Sequence, residues 1–177
     1  MIDDTDPLRV ELLPASLEQK PILDDLFQRY AHDFSELHPV ELDGDGRFHY
    51  PHLDSYWLDP GRFPFFVTVN SQIAGFVLVQ QGSQISEDRS VWDMAEFFVV
   101  RAHRRHGVGT AVARAVWTRF PGRWEVRVMQ ANRESLLFWS AAVQGFAGQA
   151  VEPISTEKAG ERWRVFRFDS GTDGSRS

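Results

Sequence analysis

Apolar residues recur at helical spacing along residues 17–30, where Ile22, Leu23, Leu26, Phe27 and Tyr30 share one face. This predicts an amphipathic helix with Pro21 tolerated near its start. Periodicity is lost over residues 35–64, a long run of turn formers mixed with His, Tyr and Trp. An irregular stretch of that length inside a small domain is more often functional than idle, and here it is the expected substrate side. Two β-rich runs at 65–70 and 73–80, separated by Ser71 and Gln72, predict a hairpin closed by a tight polar turn at 70–72. Residues 91–100 read as a third, strongly apolar strand. Residues 107–120 carry Val108, Ala111, Val112, Ala115 and Val116 at helical spacing, and Pro121 and Gly122 end that helix. Residues 124–129 and 163–168 alternate as strands, and 132–143 reads as a helix. A strand, helix, strand unit flanked by antiparallel strands predicts a mixed sheet with helices packed on its faces and a right-handed crossover.

Composition narrows the picture. At 177 residues and 42% hydrophobic content, the chain can bury one core but is short for two. The absence of cysteine removes disulfides, thiolate metal sites and a cysteine nucleophile. Residues 1–7 carry three aspartates and no apolar run, and no later stretch is long enough to cross a bilayer, so a cytoplasmic protein without membrane contact is expected. Residues 170–177 contain only Ser, Gly, Thr, Asp and Arg; they are expected to form a disordered tail behind a single domain at 1–169. A net charge of -6 argues against nucleic-acid binding, which relies on many Lys and Arg contacts to phosphate. The exception is local: Arg101, His103, Arg104, Arg105 and His106 lie in one short segment. A basic cluster on an acidic chain points to a small anionic ligand.

The position of the segment from Arg104 through Gly107, Val108 and Gly109 to Thr110 supplies the physics. It lies between a strand and the helix that follows. The first amides of a helix have no intrahelical partner, and with the positive end of the helix dipole they form an anion site. Glycines at 107 and 109 allow close backbone approach and conformations that a Cβ forbids. Arg104, Arg105 and His106 can add charge-assisted hydrogen bonds, so a diphosphate fits. A dinucleotide fingerprint is disfavoured because Val112 stands at the third glycine position, and a Walker loop fails for want of a Lys followed by Ser or Thr. Taken alone, the loop is also compatible with a solvated turn ahead of a core helix.

Together with a downstream segment, this loop resembles the GNAT superfamily of acyl-CoA-dependent N-acetyltransferases, over most of the chain. Arg104, Gly107 and Gly109 match the family's central motif, and Phe97, Phe98, Val99 and Val100 look like its splayed strand, whose backbone pairs with the pantetheine arm. Asn132, Ser135, Phe138, Trp139, Gly145 and Phe146 match the second motif. Trp139 stands where the family usually has a tyrosine that protonates the leaving thiolate, and the Gly-Phe pair comes two residues late. An indole N–H donates a hydrogen bond but is not a usable acid.

The resemblance implies an α/β (α+β) domain: a mostly antiparallel sheet with one splayed parallel pair and helices on both faces. It implies acetyl-CoA as cosubstrate, held by Phe98, Val99, Val100, Arg104, Arg105, His106, Gly107, Val108, Gly109, Thr110, Asn132, Ser135 and Phe138. The acceptor is a small-molecule or peptide amine. Glu96 and Trp139 are the candidate catalytic residues. Glu96 sits where several members have a general base, and its apolar neighbours Ala95, Phe97 and Phe98 favour a raised pKa by desolvation. Its plain alternative is an ion pair with Arg127 across the sheet. A backbone N–H near Val99 would polarise the thioester oxygen. Asp33, Phe34, Tyr56 and Trp57 are the candidate acceptor-side residues, since carboxylates beside aromatics suit a cationic amine. Neither Asp43 and Asp45 nor His49 and His52 make a convincing metal site, because an EF-hand spacing and a third ligand are missing. A non-catalytic acyl-CoA-binding module is the alternative function, and a homodimer is left open.

Overall fold

The computed structural model describes residues 8–171. Among them, seven strands form one sheet in the order β1-β2-β3-β4-β5-β7-β6. They are β1 (Val10–Pro14), β2 (Arg62–Val69), β3 (Gln72–Gln81), β4 (Trp92–Val99), β5 (Arg123–Met129), β6 (Ile154–Lys158) and β7 (Glu161–Asp169). Every pairing is antiparallel except β4 with β5. The predicted hairpin is β2–β3. Asn70 and Ser71 both have positive φ, 50° and 66°, which gives the turn the twist that a two-residue connection requires.

Among the described residues, four α-helices cover the sheet: α1 (Lys20–Phe34), the single turn α2 (Ser55–Leu58), α3 (Val108–Arg119) and α4 (Arg133–Ala147). The helix predicted from residue 17 begins with a 3-10 turn, Leu17–Gln19, where the Gln19 side chain accepts a hydrogen bond from the Ser16 amide at 3.0 Å. It runs one turn beyond Tyr30, which carries Asp33 and Phe34 into the site. One face of the sheet packs Val108, Val112, Val116 and Trp117 of α3 and Trp139 and Val143 of α4. The other packs Leu23, Leu26, Phe27 and Ala31 of α1 with Leu53 and Tyr56.

The segment after α1 is less irregular than its composition suggests. Leu42 and Phe48 form a β-bridge, and the Asp43 carboxylate accepts the amides of Asp45 and Arg47, each at 2.9 Å. The Gln28 side chain of α1 bonds both the amide and the carbonyl of Phe48, at 2.8 and 3.0 Å, and Arg47 pairs with Asp24. The loop is thus stapled to α1, which seats Tyr50 against Phe27 with ring centroids 4.9 Å apart. Two strands escape the sequence pattern. The edge strand β1 carries only five residues, and β6 is polar and largely exposed, so neither offers an apolar alternation to read. Ser170 is held rather than loose, its amide donating to Gly122 O at 2.8 Å. The rest of the expected tail, beyond residue 171, and residues 1–7 lie outside the described residues.

Candidate active site

The parallel ladder between β4 and β5 holds only at Trp92 with Trp124 and Asp93 with Glu125. Beyond that point β4 follows β3 and β5 follows β7, so the sheet opens as a V. The β3–β4 register skips a residue at this same level, pairing Leu78 with Glu96 but Val79 with Met94, which leaves Ala95 as the extra residue of a bulge. Side chains alternate along a strand, so one inserted residue exchanges the faces of all that follow. Ala95 and Phe98 accordingly pack with α1, while Phe97 and Val99 pack toward α3 and α4. Glu96 enters the V facing Tyr30 and Tyr50.

Two recesses meet there. A groove of about 520 Å³ is lined by β4 from Phe97 to Val99, by Arg101, Arg104, Arg105, Gly107, Gly109 and Thr110, and by Asn132, Ser135 and Phe138 of the α4 start. A cavity of about 290 Å³ lies between Ala95, Glu96 and Phe97 on β4 and Val126, Arg127 and Val128 on β5, capped by Phe27, Tyr50 and Trp163. Tyr30, Phe34, Phe97, Asn132, Ser135 and Trp139 border both.

In the groove, α3 begins with Gly107 in the left-handed region at φ 78°, and no side chain caps the helix. Its first intrahelical bond is Ala111 N to Gly107 O, 3.0 Å, so the amides of Val108, Gly109 and Thr110 have no intrahelical partner. A Cβ on Gly107 would meet nothing within 4 Å; one on Gly109 would lie 3.0 Å from the Phe138 ring. Glycine is thus required at 107 by backbone angle, and at 109 by close packing against α4. On β4, Val100 N–H donates to Ala74 O at 2.8 Å, so strand alternation turns the Val99 N–H and C=O to the opened edge.

The remaining candidates divide clearly. Arg104 lines the groove but is already engaged by the protein: its Nε donates to Val99 O at 2.7 Å, its NH2 donates to Asp33 at 2.7 Å, and it lies over the Phe98 ring. Asp33 also binds Arg101 at 2.9 Å. Burial pushes the Asp33 carboxyl upward, but hydrogen bonds and charge from Arg101 and Arg104 outweigh it and hold the group below its usual range. Two guanidiniums therefore occupy the carboxylate proposed for an amine, and it faces the groove, not the cavity. Arg105 is exposed and makes a 3.3 Å contact with the likewise exposed Glu134, a pair too solvated to hold it firmly, which leaves its charge available at the rim of the groove. Asn132 caps its own helix, its Oδ1 accepting from Ser135 N at 3.0 Å. Val108 contributes its side chain to the core, and Val100 and His106 line neither recess. Tyr56 and Trp57 line neither recess either. Tyr56 is buried with its hydroxyl donating to Gln80 at 3.3 Å, and Trp57 donates to Ala15 O at 2.9 Å. Trp139 is buried at the junction, edge-on to Phe97 and to Phe138, each at 4.8 Å.

Glu96 does not take Arg127 as its ion-pair partner. Arg127 donates to both Asp93 oxygens at 2.7 and 2.8 Å and to Ala95 O at 3.3 Å, a side-chain clip across the V just past the last backbone pair. Burial lowers the Arg127 guanidinium, yet the charges of Asp93 and Glu96 raise it overall. Burial raises the Glu96 carboxyl above its ordinary range, against the opposing charge of Arg127 and hydrogen bonds from Tyr30 and Tyr50. All three tyrosines of the chain surround this carboxylate: Tyr30 and Tyr50 lie against Glu96, and Tyr56 lies against Tyr50. Burial first, then the Glu96 charge, pushes each phenol up, so all three are hydrogen-bond donors at neutral pH and none is a base. Sequence reading missed Tyr30 and Asp93 as site residues. A second acid in the apolar run of β4, three residues before Glu96, was the available signal for Asp93.

A sequence model of the Acetyltransferase (GNAT) family matches residues 23–146, and the chain belongs to that family of acetyltransferases. Among solved structures it is similar to an acetyltransferase from Thermus thermophilus (16% identity, covering 92% of this chain and 98% of that one, TM-score 0.66). It is also similar to aminoglycoside acetyltransferase AAC(6')-Ib in complex with coenzyme A (11%, 91% and 95%, TM-score 0.67). A third is Arabidopsis thaliana NAA60 in complex with a bisubstrate analogue (13%, 91% and 98%, TM-score 0.59). At these identities the likeness is one of fold. No curated protein sequence matches the chain. Among the described residues, no helix is long and apolar enough to cross a membrane.

Proposed function

We propose that the protein transfers an acetyl group from acetyl-CoA to a primary amine by direct attack on the thioester, with Glu96 as general base. One observation carries this reading: the only carboxylate among the described residues lining the smaller cavity lies beside Phe97 and Tyr30, which border both that cavity and the groove with the uncapped helix start. The pyrophosphate would lie on the free amides of Val108, Gly109 and Thr110, with Arg105 adding charge. The pantetheine arm would pair with the opened edge of β4, and the Val99 N–H would polarise the thioester oxygen. The amine nitrogen bonds to the carbonyl carbon, Glu96 takes the amine proton, the C–S bond breaks, and the thiolate leaves.

Trp139 cannot protonate that thiolate. Tyr30 borders both recesses and lies against Glu96, which supports a role in which its O–H hands a proton to sulfur while it takes the one Glu96 has gained. In this exchange the phenol never carries a charge, consistent with its raised pKa.

The test is Glu96→Gln, assayed by mass-spectrometric detection of acetylated amine and by calorimetric titration with CoA. Expected are a loss in kcat of about 10²–10⁴ and an unchanged CoA affinity. In the native enzyme kcat/KM should rise with pH through a value above the ordinary Glu range of about 4.3, because the base works only when deprotonated. CoA binding without turnover of any amine in the native protein would instead identify a binding module.

A further inference from the structure

The smaller cavity also specifies what kind of amine it takes, an inference that rests on the acetyl-transfer reading above. Its walls are aromatic and aliphatic apart from Glu96, Arg127, Asn132, Ser135 and two tyrosine hydroxyls. Most of that polarity is already engaged. Arg127 is held by Asp93 through two bonds of 2.7 and 2.8 Å, the Asn132 carbonyl caps α4, and the hydroxyls of Tyr30 and Tyr50 serve Glu96. One carboxylate therefore faces an enclosure of rings formed by Phe27, Phe34, Tyr50, Trp139 and Trp163.

The cavity is also bridged on its outer side. His38 Nδ1 lies 3.0 Å from Glu161 Oε1. His38 stands two residues before the lining residue Val40, and Glu161 stands two before Trp163. This contact joins the loop after α1 to the β6–β7 hairpin, next to the lining residues Val40 and Trp163.

We infer that the acceptor is a compact monoamine with an apolar, preferably aromatic, body, and that polyamines, polyhydroxylated amines and peptides are rejected. The physical reasons are separable. A single ammonium finds Glu96 as its partner, and a ring finds aromatic walls. A second ammonium finds no anion and faces the Arg127 guanidinium. Hydroxyls and peptide groups would be stripped of water without gaining partners. A cavity of about 290 Å³ matches an amine of this compact size.

The test compares kcat/KM with acetyl-CoA for 2-phenylethylamine, spermidine, kanamycin and a short peptide with a free N-terminus, using the native full chain. The expected result favours 2-phenylethylamine over the other three by at least about a hundredfold. Val40→Trp, which places an indole in the cavity wall outside the groove, should raise the KM for 2-phenylethylamine at least about tenfold while the CoA affinity measured by calorimetry stays the same. Spermidine, kanamycin or peptide turned over as well as or better than 2-phenylethylamine overturns the inference and leaves acetyl transfer intact. Absence of transfer to every amine, with CoA still bound, overturns both.

Discussion

The larger groove and the smaller cavity share a wall, yet they are made of different materials. The groove offers backbone groups: the open amides of α3, the Val99 N–H on the opened edge of β4 and a left-handed glycine at φ 78°. The cavity is side chain: rings from α1, the following loop, α4 and β7 around one carboxylate. Backbone amides recognise any phosphate and tolerate changes of neighbouring side chains. A cage of rings recognises one shape, and each ring is a separate point of variation. The division suits an enzyme that keeps one cosubstrate and adapts to one acceptor.

The contrast can be broken at its seam. Arg127→Leu leaves Asp93, whose side chain is 2% exposed, buried without a cation and with only the longer bonds from Gln84 N at 3.3 Å and Gln80 Nε2 at 3.4 Å, and should cost about 3–5 kcal/mol of stability, read as a lowered midpoint in urea unfolding. The CoA affinity of the protein that remains folded should not change; a parallel loss would show that the two recesses are not separable. On the groove side, Gly107→Asp places a carboxylate beside the phosphate position and should weaken CoA binding about a hundredfold by calorimetry, with circular dichroism preserved. Undiminished affinity there would remove the anion site from α3.

Smaller effects sharpen the difference between the two helix starts that flank the groove. Asn132→Ala removes the cap of α4 and should cost about 1 kcal/mol of stability, measured by thermal or urea unfolding; α3 has no cap side chain to lose. The two neighbouring arginines should separate in the same way. Arg105→Ala should weaken CoA binding by up to about tenfold without altering the unfolding midpoint. Arg104→Ala should lower the midpoint, because it unties the end of β4 from Asp33 on α1. If the two variants exchange these effects, the rotamers described for the pair are not those of the working enzyme.

Most elements were legible in the chain because their apolar periods were strong. The β2–β3 hairpin, the long strand β4, helices α3 and α4, and β7 all announce themselves by alternation or helical spacing. The edge strands β1 and β6 did not, since a strand half open to solvent has no apolar face to display. Gly107 and Gly109 were marked in the sequence, but the reason for the second was not: it makes room for Phe138, 29 positions along the chain. Glu96 was marked by an acid among apolar neighbours. That Tyr30 and Tyr50 face it was not legible, because they reach it from a helix and a loop far upstream.

The sequence by itself determined the strands and helices with strong apolar periods, the basic glycine turn at the start of α3 and the acid at position 96 of β4, because each depends on residues adjacent in the chain. Only the tertiary structure decided that Arg104 is tied to Asp33 and Val99 O, that Arg127 belongs to Asp93, and that Glu96 is left to Tyr30 and Tyr50. Those choices are made by a one-residue bulge and the parting of two strands, and neither has a local signature: a bulge exists only in the register between strands, and a partner is chosen by distance in space.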